Sequence, residues 1–257
     1  NSLGVVSLNL PRLAYLSDNR EEFLSRIGEM IDLAAESLII KREYVERYTE
    51  LGLHPFARHY LASVKSAHGQ YWANHFNTIG LVGMHEACLN LLGRGIESEE
   101  GHRLAYDVLT FMRDRLLEKQ TATGLMFNLE ATPAECCSYR LARLDRAEFP
   151  DIITAGNGVP YYTNSTMLPV GHTSNLFEAL NHQSPLLKLY TGGSVFHVFL
   201  GEKEPDPAAC GALVQKIFAS YELPYMSLTP TYSICPNHGY VFGRHDHCPQ
   251  CGSECEV

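Results

Sequence analysis

The sequence predicts an α/β fold with a largely parallel sheet, and three observations carry that reading. Short apolar segments alternate with longer amphipathic ones along the whole chain. The apolar segments read as continuous runs, the pattern of buried strands. Prolines, glycines and helix-capping residues stand at the joins between segments.

Taken in order, residues 4–10 read as a buried strand that Pro11 ends. Residues 19–50 carry two helical patterns. Phe23, Ile27, Met30, Ile31 and Ala34 fall at helical spacing with charges between them. Residues 54–75 are mixed and hold His54, His59, His68 and His75. Residues 78–83 read as a second short buried strand. A helix over 84–92 is stopped by Gly93, and Ser98 caps a longer one to about residue 119. Residues 125–129 form a third predicted strand, followed by a loop at Thr132-Pro133 and a helix over about 134–145. Residues 150–172 are rich in Pro, Gly, Asn and Thr, a long irregular stretch of the kind that often carries function. Beyond it come a helix over about 173–181, a strand over 194–200, a helix capped by Asp206 that runs to about 221, and a last strand over 225–228.

The net charge of −9 disfavours general nucleic-acid binding, which needs a basic surface. Apolar residues make up 45% of the chain, yet no apolar run is long enough to predict a membrane span. The chain opens with Asn1 in what reads as the inside of a folded domain, so a fragment is expected. Of the eight cysteines, Cys88, Cys136, Cys137 and Cys210 are scattered, and the other four crowd the C-terminal end. Paired spacing with no secretory signal favours metal over disulfides and predicts a reducing cytoplasm.

The terminal segment reads Cys235-Pro-Asn-His238-Gly, then Cys248-Pro-Gln-Cys251-Gly: two pairs, each with two residues between, separated by nine. A two-residue gap lets a tight turn aim both side chains at one ion, and two such turns complete a tetrahedron. The glycine after each pair suits the turn. Thiolates with one imidazole suit zinc, or less well iron. His245, His247 and Cys255 compete with His238 for the fourth place. Four protein ligands leave no open position, so the expected zinc is structural. Taken alone, such a segment is equally compatible with a non-catalytic zinc-ribbon interaction module.

Several motifs occur in one order. They are Gly4-Val-Val-Ser-Leu-Asn-Leu-Pro-Arg12, Glu130-Ala-Thr-Pro-Ala-Glu135 with Tyr139-Arg-Leu-Ala, Tyr161-Tyr-Thr-Asn-Ser-Thr-Met-Leu-Pro-Val170, Tyr190-Thr-Gly-Gly-Ser-Val-Phe-His197, and Leu228-Thr-Pro-Thr-Tyr-Ser-Ile-Cys-Pro-Asn-His-Gly-Tyr240. Together they resemble the anaerobic (class III) ribonucleoside-triphosphate reductases, which are glycyl-radical enzymes, over essentially the whole chain. The resemblance implies the C-terminal half of a ten-stranded α/β barrel over residues 1–231 and a zinc-binding, ribbon-like segment over 232–257. It implies a radical that passes from a glycine to a cysteine thiyl, abstraction of hydrogen from the ribose of a nucleoside triphosphate, loss of the 2′-hydroxyl as water, and formate as a possible reductant. It places the thiyl cysteine before Asn1 and the radical glycine after Val257, so these residues alone are expected to reduce no nucleotide. The partners it implies are a radical-SAM activating enzyme, the N-terminal half of the same protein and a second copy in a homodimer; neither membrane nor nucleic acid is among them. A glycyl-radical lyase of the formate acetyltransferase type is the other enzyme reading, and the zinc segment argues against it.

Asn9 lies in an otherwise buried run, so its amide must find partners. The resemblance puts it in the active site, facing ribose hydroxyls or a small carboxylate; the plainer reading is an amide that pins a neighbouring loop. Glu135 stands at a loop-to-helix junction, where a half-buried carboxyl can supply the proton that loss of the 2′-hydroxyl needs. Glu130 is its rival, and a helix N-terminal acid is the plainer reading. Thr163, Asn164, Ser165 and Thr166 offer hydroxyls and backbone donors that could hold a triphosphate without lysine, or simply build a turn. Gly192 and Gly193 let backbone approach a ligand closely, or make a turn before a strand. Cys136 and Cys137 are adjacent, and the resemblance assigns the radical cysteine elsewhere.

Overall fold

The computed structural model describes residues 1–200 and 206–256, apart from the side chain of Glu135. The chain divides into two compact units, Asn1–Ser194 and Val195–Val257.

The first unit opens with β1 (Ser2–Asn9), which runs directly into a short helix, α1 (Leu10–Tyr15). Pro11 therefore begins a helix as well as ending a strand. Proline is tolerated in a first turn, and the Asn9 side chain caps that turn by accepting from the Arg12 N–H. Residues 20–50 form one helix of 31 residues, α2 (Arg20–Glu50), where the sequence predicts two. Its buried stripe, Phe23, Ile27, Ile31, Ala35 and Leu38, keeps helical phase throughout. At the next turn that stripe meets the buried Arg42. Its guanidinium donates to the main-chain carbonyls of Trp72 and His75 and to Asn77 Oδ1, which closes off the apolar stripe without breaking the helix. The mixed region resolves into two short helices, α3 (Pro55–Tyr60) and α4 (Ala62–His68).

The sheet continues with β2 (Phe76–Val82), then α5 (Met84–Leu92), α6 (Glu99–Thr123), β3 (Phe127–Glu130), α7 (Glu135–Glu148) and α8 (Leu176–Leu187). The order is β1-β2-β3, parallel throughout, with Val6 opposite Ile79 and Ile79 opposite Leu129. From Asn77 to Val82 every residue of β2 is buried, as expected for the centre of a parallel sheet covered on both faces. Ser98 caps α6 by accepting from Gly101 N at 3.0 Å. Asn175 caps α8, so that helix starts and ends later than its pattern predicts, and Pro185 lies inside its last turn.

The second unit holds β4 (Phe196–Phe199), α9 (Pro207–Ser220), β5 (Met226–Thr229), β6 (Tyr232–Cys235) and β7 (Gly239–Phe242). β4 and β5 pair in parallel, and β6 and β7 form an antiparallel hairpin that the sequence reading missed. No described helix is long and apolar enough to cross a membrane.

Candidate active-site rim and metal centre

In a parallel sheet all strands end on one side, and the loops beyond those ends gather there. Asn9 closes β1 opposite Val82, the last residue of β2, and Glu130 closes β3 opposite Gly80. The loop 161–166 lies against the same ends, with Asn164 bridged to Val82. Gly83 N–H donates to Thr163 O at 2.8 Å and Met84 N–H to Ser165 O at 3.0 Å, so the loop takes up the free donors at the start of α5.

Two buried carboxylates hold this rim, and sequence reasoning singled out neither. Glu86 is fully buried and accepts from Thr163 twice, from the hydroxyl at 2.6 Å and from the main-chain N–H at 2.9 Å. Burial pushes its carboxyl above the ordinary value, against the lowering effect of those two bonds. Asp145 is also fully buried. It accepts from Asn9 Nδ2 at 2.7 Å, from Arg12 Nε at 2.8 Å and from the Tyr162 hydroxyl at 2.7 Å, and Arg12 Nη2 lies 2.7 Å from it. Burial first, and then Asp145, push the Tyr162 hydroxyl far above its usual range, so it stays a donor. Ser138 donates to Tyr162 O at 2.6 Å and accepts from Tyr162 N at 3.1 Å, which ties α7 to the loop. The signal for both acids was available: each is a charge on a buried helical stripe, Glu86 beside Met84 and Ala87, Asp145 in phase with Ser138 and Ala142.

The residues picked from the sequence fall at this rim with different exposures. Asn9 is half-buried; its amide spans Asp145 and the start of α1. Glu135 is the first residue of α7, and its side chain lies outside the described residues. Glu130, its rival, is half-buried and its carboxyl is raised by burial. Thr163, Ser165 and Thr166 are buried. Their hydroxyls are spent on Glu86, on Thr132 O and Asn164 Oδ1, and on the Tyr190 hydroxyl respectively. Asn164 is the member of the four that is half-exposed, and it lines a cavity of about 330 Å³ with Pro133, Tyr161, Tyr162 and Met167. Gly192 donates to Leu129 O at 2.7 Å, and Gly193 O accepts from Ala131 N at 3.0 Å. A Cβ on Gly192 would sit 2.8 Å from Asn128 Nδ2, so the close approach that the glycine permits is to β3. Cys136 and Cys137 are both exposed. Ala134 and Ser165 adopt positive φ angles of 48° and 44°, the two non-glycine residues to do so among the described residues. Held strain of this kind concentrates at functional sites.

The candidate metal centre lies in the second unit. Cys235, His238, Cys248 and Cys251 bring their ligand atoms within 4.8 Å of one another. Cys235 Sγ is 3.6 Å from His238 Nδ1 and 3.6 Å from Cys251 Sγ, and Cys248 Sγ is 3.5 Å from His238 Nδ1. A tetrahedron with metal–sulfur bonds of about 2.3 Å has edges near 3.7 Å, so the quartet fits zinc. The two turns match. Asn237 N–H points at Cys235 Sγ and Gln250 N–H at Cys248 Sγ, each at 3.4 Å, while Gly239 and Gly252 take φ of 71° and 74°. Ser253, through its hydroxyl and its backbone, brings the Cys251 thiol down to about 5, which favours the thiolate a metal needs. Of the three competitors, Cys255 packs beside the cluster, His245 bonds Phe242 O at 2.8 Å, and His247 is bridged to Glu254.

The fold and these two sites define an α/β protein with a strand-end rim and a Cys₃His group compatible with structural zinc. The family model for anaerobic ribonucleoside-triphosphate reductase matches residues 1–257, and the chain belongs to that family. It is 27% identical over 270 residues to the anaerobic ribonucleoside-triphosphate reductase of Haemophilus influenzae, covering 98% of this chain and 37% of that protein. With the enzyme of phage T4 the identity is 26% over 249 residues, covering 91% and 39%. The crystal structure of the Thermotoga maritima anaerobic ribonucleotide reductase with dATP in its specificity site shares the fold. Its TM-score is 0.78 at 23% identity, over 99% of this chain and 41% of that one. The chain thus spans about two-fifths of the length of the relatives it matches.

Proposed function

We propose that this chain is the C-terminal portion of an anaerobic ribonucleoside-triphosphate reductase. In this reading residues 1–231 belong to its catalytic ten-stranded barrel, and residues 232–257 form a ribbon-like zinc segment. The observation that carries the reading is the family match over the whole chain, with Asn9, the start of α7 and the loop 161–166 gathered at one end of a parallel sheet. The five parallel strands in two sheets are what half of such a barrel would hold.

The substrate in this reading is a nucleoside triphosphate. Asn9 holds the ribose, and Glu135 supplies the proton that lets the 2′-hydroxyl leave as water. Asn164 meets the ligand at the cavity, while the buried Thr163, Ser165 and Thr166 fix the loop's shape from beneath; Gly192 lets the chain lie close against β3, and Gly193 supplies the positive φ of 123° beside it. Zinc bound by Cys235, His238, Cys248 and Cys251 would tie the β6–β7 hairpin to the terminal turn. A glycyl radical, a thiyl cysteine and formate as reductant complete the reaction in the family pattern, with a radical-SAM activating enzyme, the rest of the same protein and a homodimer as partners in the cytoplasm.

In the full-length enzyme, Asn9→Ala and Glu135→Gln should each lower deoxynucleotide formation by about 100-fold or more, the usual loss when a positioned acid or polar group is removed. Stability should fall only by what the lost contacts explain, for Asn9 about 1 kcal/mol for the helix cap and about 1.5–3 kcal/mol for the bond to buried Asp145, so turnover is read per folded protein. Near-normal turnover in both variants would overturn the assignment. A loss in Glu130→Gln with none in Glu135→Gln would move the acid to Glu130.

A further inference from the structure

We propose that Asp145 is a positioning residue for this reaction, holding the Asn9 amide in one orientation at the strand-end rim. The inference rests on the reading of Asn9 given above and goes beyond it.

Asp145 collects donors from two stretches of chain that meet only in the fold: the β1–α1 junction through Asn9 and Arg12, and the loop through Tyr162. Four donor contacts, counting both nitrogens of Arg12, match the roughly four lone-pair positions a carboxylate offers. Arg12 also reaches outward to Glu148 at 2.7 Å and lies 5.3 Å over the Phe149 ring, so its own position is fixed from two further sides. Asp145 stands on the buried stripe of α7 with Ala142, which packs against Val82 and Tyr162.

The consequence for Asn9 follows from donor and acceptor chemistry. A carboxylate accepts, so the atom of Asn9 that lies 2.7 Å from Asp145 must be the amide nitrogen. The flipped amide would set Oδ1 against a carboxylate oxygen. Asp145 therefore decides which way Asn9 faces. One N–H is spent on Asp145, and Oδ1 carries only a long 3.4 Å bond from Arg12 N. Asn9 is left with an open lone pair on Oδ1 and a second amide N–H, an acceptor beside a donor, which a ligand hydroxyl can engage from both sides.

The test is a double-mutant cycle on the full-length enzyme, reading kcat and KM per folded protein. Asp145→Asn keeps the volume but removes the charge and lets the Asn9 amide turn. It should lower kcat by about 10- to 100-fold, in the range that small misplacements of reacting groups cost. In the Asn9→Ala background it should lower kcat no further, because the residue it acts through is gone. A merely structural role would lower the melting temperature and leave kcat of the folded fraction unchanged, or would multiply with Asn9→Ala; either result overturns the proposal. If Asn9→Ala alone leaves turnover intact, it is the reading of Asn9 that fails, and the two failures are told apart. Should Asp145→Asn not fold, Tyr162→Phe removes one of the donors and no charge. It should then lower kcat several-fold in the wild-type background only, and an unchanged kcat overturns the proposal.

Discussion

At the scale of single residues, buried charge shapes this protein more than exposed charge does. Glu86 shows how. Its carboxylate is fully buried to hold one threonine, and through Thr163 it sets the path of the loop that crosses the start of α5. Glu86→Leu would strand both donors of Thr163, at about 1–3 kcal/mol for each group left unsatisfied. Glu86→Gln keeps one carbonyl acceptor and should cost less. A pH signature accompanies this. Burial raises the Glu86 carboxyl in the folded state above its ordinary value, so the native protein binds that proton more tightly than the unfolded chain does. Its contribution to stability is therefore full below the unfolded value and is lost as pH rises through the folded value. Denaturant titrations of wild type and Glu86→Gln on both sides of that window should diverge, with the wild type losing stability relative to the variant as pH rises. Parallel curves would mean that Glu86 carries no such linkage.

At the scale of elements, the strand ends depend on close approaches that only glycine allows. Gly83 joins β2 to α5 with φ of 79°, and a Cβ there would lie 2.4 Å from Pro11 Cγ. Gly69, at the end of α4, has the same φ of 79° with nothing within 4 Å. The pair separates two costs. Gly69→Ala should lose only the roughly 1–2 kcal/mol of a side chain in left-handed backbone. Gly83→Ala should lose that and about 1–3 kcal/mol more for overpacking against Pro11. Thermal melts check this, at roughly 2–4 °C per kcal/mol for a protein of this size. Equal shifts for the two variants would show that α1 moves aside freely, and with it the rim that Asn9 and Arg12 share.

At the scale of the whole molecule, the metal centre makes the sharpest claim. Purified protein should hold about one zinc per chain, as a single closed four-ligand site requires. Chelation should expose β6, β7 and the terminal turn to hydrogen exchange and leave the protection of β1, β2 and β3 unchanged. Elemental analysis without zinc, with Cys235, Cys248 and Cys251 freely alkylated, would refute the site.

By itself the sequence determined the α/β class with largely parallel strands, the membership that its ordered motifs announce, and a cysteine–histidine cluster at metal-ligand spacing whose fourth member it left open. All of these are carried by local patterns: apolar runs, caps and fixed spacings between residues close along the chain. Only the tertiary structure decided that residues 20–50 are one helix, because a buried Arg42 can end an apolar stripe when Trp72, His75 and Asn77 arrive to satisfy it. It also turned the hydroxyls of Thr163, Ser165 and Thr166 inward, and it brought Asp145 to Asn9 across 136 positions of sequence. A hydrogen bond between such distant residues leaves no periodicity to read. What a buried carboxylate does is set by the donors that folding carries to it.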